Sequence, residues 1–214
     1  MNNIFHNLAY KDKRVVLGAK YAILESQTRQ LELVDNPRIL AMPGKEGFEE
    51  VMLRSLSLEP RRLHTIEREK IIYEYHRSQG YTTTKQACQF EDAIPEICKR
   101  PIQYDFVHFD FPSMLTETLR DSIEMFLSKD MLKEDSLLLL TTVAHRTTRK
   151  AAEENRELAG GSYKFPPTHH FLTQMLSKLN LKSRVLPIPY TTEVNYSATT
   201  CVFGLGRYNN TQRS

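Results

Sequence analysis

Tryptophan is absent from this 214-residue sequence, which has only three cysteines and eight glycines. Each scarcity excludes something. Cys88, Cys98 and Cys201 include no pair at zinc-ligand spacing, and an odd count fits no disulfide framework, so reduced and mostly packed thiols are expected. No stretch approaches the ~18 uncharged apolar residues of a membrane span. The start, Met1 to His6, lacks the basic and then apolar succession of a secretion signal, so the expected location is the cytoplasm, that of a host if the gene is viral. Neither Gly-x-x-x-x-Gly-Lys-Ser nor a serine-centred nucleophile elbow occurs, which sets aside nucleoside triphosphatases and common hydrolases. His169-His170 has no carboxylate or cysteine at ligand spacing, and no metal is expected.

What is present is the make-up of an ordinary globular protein. Hydrophobic residues are 40% and charged residues 26%, enough to bury a core without cross-links. The net charge of +3 suits a nucleic-acid partner without requiring one. Lys11 to Arg14, Arg61-Arg62, Lys99-Arg100 and Arg146 with Arg149-Lys150 concentrate the positive charge, and each alone reads as solvated surface. The expected organisation is a helical extension over 1–35, one domain over 36–208 and a tail over 209–214.

Residues 13 to about 33 read as a helix that Asp35-Asn36-Pro37 stops. Strands and helices then alternate. Arg38 to Met42 is a short apolar run ended by Pro43-Gly44, hence a buried strand. Phe48, Val51, Met52 and Leu56 recur at helical spacing behind Glu46 and Glu49, which suit the positive end of a helix. Leu63 to Ile66 is a second strand, Lys70 to Arg77 a helix that Gly80 ends, and Lys85 to Cys88 a weaker third strand. Tyr104 to Phe109 is the fourth, followed by an amphipathic helix through Leu115, Leu119, Ile123 and Phe126. Ser136 to Val143 is the most apolar run and predicts a central strand buried on both faces. Helical stretches near 147–157 and 168–179 follow. Ser183 to Ile188 and Thr199 to Arg207 close the sequence without a helix between them, so they should pair as an antiparallel hairpin at one edge; Pro187 and Pro189 fit an edge strand, where Tyr190 and Tyr196 are expected to pack. Gly204-Leu205-Gly206 lies inside the last strand and is no phosphate loop.

The fold predicted is α/β: a three-layer, doubly wound, mostly parallel seven-stranded sheet with a C-terminal antiparallel hairpin. Over residues 36 to 208 this order resembles the class I S-adenosylmethionine-dependent methyltransferases, a Rossmann-like family whose parallel sheet ends with a reversed strand. The motifs are degenerate. In that family the first loop is richer in glycine and follows an acid; here Met42-Pro43-Gly44 and Gly47 remain, and the Leu-Ala-Met-Pro-Gly run resembles small phage and plasmid members. Glycine there lets backbone approach the cofactor closely. Glu67 follows the second strand about 20 residues beyond Gly44, the spacing at which an acid accepts hydrogen bonds from ribose hydroxyls; it also suits the start of the next helix. The resemblance implies that Asp92, with Ala93 or Ile94 beside it, meets the adenine, Glu91 being the competing choice.

Asp110-Phe111-Pro112-Ser113 resembles the Asp-Pro-Pro-Tyr acceptor loop of enzymes that methylate amino groups of DNA and RNA. Phe111 stands for the first proline and Ser113 for the aromatic residue; Asp110 or Ser113 would equally cap the following helix. The resemblance therefore implies S-adenosylmethionine as cofactor and the amino group of a nucleic-acid base as acceptor; by their own charge, the basic N-terminal helix and the loop around Arg146–Lys150 read as contacts to a phosphate backbone. Two other readings stay open: a module of this fold that binds nucleic acid or protein without catalysis, and a nicotinamide-dependent oxidoreductase, which calls for a fuller glycine loop and a parallel last strand.

Overall fold

Short aliphatic runs form the strands, and amphipathic segments between them form the helices. The computed structural model describes residues 31–32, 34–44, 47–111, 115–143, 171, 174–175, 177–178, 183–191 and 197–205. The strands are β1 (Ile39–Ala41), β2 (Leu63–Thr65), β3 (Thr82–Thr83), β4 (Tyr104–Asp110), β5 (Leu132–Val143), β6 (Ser183–Thr191) and β7 (Ser197–Leu205). Between them lie helices α1 (Phe48–Ser55), α2 (Lys70–Ser78), α3 (Phe90–Ile97) and α4 (Glu117–Ser128). Among the described residues the strands form one 7-stranded sheet in the order β3-β2-β1-β4-β5-β7-β6. The first five pair in parallel. β7 runs antiparallel to both β5 and β6, so the expected closing hairpin is present.

Alternate side chains of the central strands feed two separate cores. Ile39, Ala41, Phe106 and Leu139 join Met52 and Leu53 of α1 and Leu31 on one face. Leu40, Val107, Phe109, Leu138 and Leu140 join α3 and α4 on the other. Strands buried on both faces read as unbroken apolar runs, which is why β5 stands out in the sequence. Tyr104 departs from the alternation and joins the second core, because the pairing of β4 with β5 shifts register between Tyr104 and Phe106.

Three details differ from expectation. The third strand is Thr82–Thr83, not Lys85 to Cys88. Gly80, with φ of 78°, ends α2 and sends the chain straight into extended backbone. The Thr84 hydroxyl then donates to the Gln86 carbonyl (2.7 Å), curling the chain out of the strand before Lys85. Second, the stretch from Gln89 to Ile94, for which no helix is expected, is the front of α3. Phe90, Ala93, Ile94 and Ile97 form its buried stripe at helical spacing, and Pro95 sits inside the helix. A proline there deletes one backbone bond, but the stripe outweighs the loss. Third, Thr116 caps α4, accepting from the Leu119 amide at 3.3 Å, in place of Asp110 or Ser113. Of the helix expected over 13 to about 33, Leu31 and Glu32 are described and Leu31 is helical; the stretch near 147–157 lies outside the described residues. Of 168–179, Phe171, Gln174, Met175, Ser177 and Lys178 are helical, and Met175 reaches the second core.

His64, in the middle of β2, is 3% exposed, and its Nδ1 lies 2.6 Å from the Tyr104 hydroxyl. Burial first, and Arg100 second, lower its pKa from 6.5 to about 3. Folded His64 is therefore neutral where the unfolded chain would already hold a proton. Stability falls as pH drops through about 6.5 and goes on falling toward about 3, with about 2 kcal/mol lost between pH 7 and pH 5 from this residue. Urea unfolding of the parent and His64→Gln at the two pH values is expected to show that part of the loss in the parent alone. Equal losses in both proteins would refute it.

Candidate functional site

The chain leaves β1 toward β2 and β3 on one side, and β4 and β5 lie on the other. This reversal at the carboxyl ends of β1 and β4 is a topological switch point, the place where open α/β sheets leave a crevice for ligands. The Met42 amide donates to the His108 carbonyl (3.1 Å) across the crevice, and the Ile66 amide to the Ala41 carbonyl (3.0 Å). The ends of β1, β2 and β4 are thus joined by backbone at one edge.

Met42, Pro43 and Gly44 form the first loop above that edge, each half-buried. Gly44 has φ of 62° and, among the described residues, nothing within 4 Å of where a Cβ would stand. That backbone conformation favours glycine, and the space beside it is open. His76, fully buried on α2, holds the loop from below: its Nε2 lies 2.7 Å from the Gly44 carbonyl. A carbonyl only accepts, so Nε2 carries the proton.

The first turn of α1 carries two buried carboxylates. Favourable placement near a helix N-terminus is supplemented by specific partners. Glu49 accepts from His108 Nδ1, and both side chains are nearly fully buried. Glu50 accepts from the Tyr75 hydroxyl (3.1 Å) and pairs with Arg54. Burial, and then the Glu50 carboxylate, push the Tyr81 phenol well above its ordinary value, so it stays a donor. The pairing of Glu49 with His108 is not visible in sequence. Glu49 reads there as a helix-start acid and His108 as a strand residue, and α1 packing over β4 brings them together.

Glu67 follows β2 and is half-buried. One carboxylate oxygen accepts from the Glu69 amide at 2.7 Å, so the acid does shape the turn into α2; no hydrogen bond to its second oxygen is made among the described residues. The Cys88 amide donates to the Glu67 carbonyl (3.0 Å), which lays the chain before α3 beside the end of β2. Asp92 is exposed on the first turn of α3, and Ala93 is fully buried beneath it. Burial pushes the Cys88 thiol up, against the Thr84 hydroxyl that lowers it, so this free cysteine is a poor nucleophile.

Asp110 ends β4, half-buried and in register with Thr141. The next residue turns away from the crevice: Phe111 is 4% exposed and packs edge-on against Phe90 at 4.8 Å. Pro112 and Ser113 lie outside the described residues, as do Arg146–Lys150, His169-His170 and Tyr196. No group of three or more His, Cys, Asp or Glu suited to a metal occurs among the described residues. Nor is any helix among them long and apolar enough to cross a membrane.

No protein-family model matches the sequence, and neither does any curated protein. Solved structures do match the architecture. A protein described as an rRNA-methylase from Clostridium thermocellum superposes with a TM-score of 0.51 at 12% identity, over 87% of this chain and 97% of that one. A protein described as an O-methyltransferase from Klebsiella pneumoniae gives 0.52 at 14% identity, over 93% and 84%. The fold is that of the class I methyltransferases. Its reversed β7 completes the sheet beside β5.

Proposed function

We propose that this chain is an S-adenosylmethionine-dependent methyltransferase whose cofactor lies along the carboxyl ends of β1 and β2 and the start of α3. The observation that carries the reading is Gly44: a left-handed glycine, anchored by His76, with open space beside it at the switch point of this fold. The bound cofactor supplies an already activated methyl group, so alignment and exclusion of water are the protein's main tasks. Glu67 receives the ribose hydroxyls through the oxygen that Glu69 leaves. Asp92 meets the adenine amino group, with Ala93 supporting that turn from the core, and Met42 and Pro43 form the opposite wall.

Asp110 is the residue we assign to the acceptor, with Pro112 and Ser113 completing its loop. Phe111 contributes by fixing the loop's root in the core, since its ring is committed to Phe90. The amino group of a nucleic-acid base is the favoured acceptor. The positive net charge and the Asp-x-Pro order support this, whereas structures sharing the fold are described with both RNA and oxygen acceptors. The antiparallel β7 disfavours the nicotinamide alternative.

Calorimetry is expected to show S-adenosylmethionine binding to the parent and at least about tenfold weaker binding to Glu67→Ala, the scale of lost charge-assisted hydrogen bonds. No binding to the parent overturns the reading, and NAD raising the melting temperature in its place favours the oxidoreductase. Labelled-methyl transfer to DNA and RNA then separates an enzyme from a module that binds cofactor without catalysis.

A further inference from the structure

The opposite edge of the sheet, where the parallel strands begin, is concave and basic. A cavity of about 890 Å³ there is lined by Arg38, Arg62, Lys99, Arg100, Lys129 and Lys133, against one lining carboxylate, Asp130. A second cavity of about 400 Å³ adjoins it through Arg38, Arg62 and Ile102, and adds Arg61, His64 and Tyr104 to the wall. These cations come from stretches far apart in sequence, before β1, before β2, after α3 and at the start of β5. The topology gathers them because parallel strands all begin at one edge.

Some of this charge is neutralised locally. Arg61 pairs with Glu59, Arg100 with Glu96 and Lys133 with Asp105. Arg62 donates to the Asn36 side chain (2.6 Å), which leaves its charge uncompensated. Among the described residues the side chains of Arg38, Lys99 and Lys129 have no ion-pair partner. A further polar group lies in the wall. His64 Nε2 is buried and has no hydrogen-bond partner among the described residues. When the Tyr104 hydroxyl donates to Nδ1, Nε2 carries the proton and offers a neutral donor.

We infer that this amino-terminal edge is a second binding site, for the phosphodiester backbone of a nucleic acid. A single small anion is held by donors that converge on one point. Here uncompensated cations are spread along two adjoining cavities, the pattern that suits a polymer with a repeated negative charge. The site lies across the sheet from the crevice of Gly44 and Glu67, so it grips the chain away from the reacting centre. It extends the nucleic-acid part of the proposed function and does not depend on cofactor binding.

The test uses the full chain and fluorescent oligo(U), oligo(dT) and duplex DNA of about 20 nucleotides, longer than the ~4–16 nucleotides that one such groove occupies. Lys99→Glu with Lys129→Glu, both exposed, is expected to raise Kd about tenfold or more and to flatten the log Kd against log salt slope by at least about 1.4. Lys70→Glu with Lys178→Glu, neither lining these cavities, makes the same change in net charge elsewhere and is expected to leave both nearly unchanged. Whichever probe binds best identifies the source of the backbone. Equal weakening by both pairs, no binding of any oligomer by the parent, or competition by poly-glutamate as effective as by nucleic acid overturns the inference. S-adenosylmethionine titration in the same samples reports separately on folding and on the cofactor site.

Discussion

Glu49→Ala is expected to cost about 3–5 kcal/mol of folding stability, the scale for removing one partner from a buried pair. Glu49 and His108 are 2% and 6% exposed at their side chains, so water cannot replace the lost carboxylate. The alanine would leave His108 with a second unsatisfied nitrogen, because Nε2 already has no hydrogen-bond partner among the described residues. Glu49→Gln retains an acceptor for Nδ1–H and should recover much of the loss. The double change Glu49→Leu with His108→Leu should recover more than Glu49→Ala, since apolar replacement of a buried pair removes the desolvation cost along with the attraction. Urea unfolding of the four proteins measures this; a Glu49→Ala protein within about 0.5 kcal/mol of the parent would place the pair among ordinary surface contacts. The pair also ties the first turn of α1 to the end of β4, so Glu49→Ala should weaken cofactor binding even where the protein remains folded.

That pair marks the boundary of what is legible in the sequence. Features carried by local pattern are visible: the double-sided apolar run of β5, the glycine stop of α2, and two closing strands with no helix between them. Features that depend on one residue overruling its neighbours are not. Pro95 hides the helical stripe of Phe90, Ala93, Ile94 and Ile97, and the Thr84 turn moves the third strand ahead of Lys85. Features created by assembly leave almost no trace. Glu49 and His108 are 59 positions apart, and each has an adequate local explanation. Arg61-Arg62 and Lys99-Arg100 likewise read as separate solvated patches until the parallel strands bring their starts to one edge. Glu67 falls between these cases, since its position after β2 is legible while its bond to the Glu69 amide is not.

The two glycines of the first loop, alike in sequence, are expected to behave very differently when replaced by alanine. At Gly47 the new Cβ would lie 2.4 Å from the Pro43 carbonyl oxygen, 2.6 Å from Pro43 Cβ and 2.9 Å from a Glu49 carboxylate oxygen. The first two atoms belong to the loop's own backbone and a rigid ring, which cannot swing aside, so the loop itself must move. Gly47 also stands at the N-cap of α1, where alanine is a poor residue. Overpacking of this kind costs about 1–3 kcal/mol, and the displaced loop should bind S-adenosylmethionine at least about tenfold more weakly, as expected from a loss near 1.4 kcal/mol. At Gly44 no atom of the described residues is within 4 Å of the added carbon, so the left-handed backbone penalty of about 1–2 kcal/mol is the cost that applies. Its methyl group would stand in the open space assigned to the cofactor, so Gly44→Ala should lose affinity by direct obstruction. Restoring stability with a compensating core or surface change elsewhere should then fail to restore binding to Gly44→Ala. Unfolding and calorimetry of both variants decide the matter: full affinity in Gly44→Ala would remove the cofactor from this loop, whatever Gly47→Ala does to the fold.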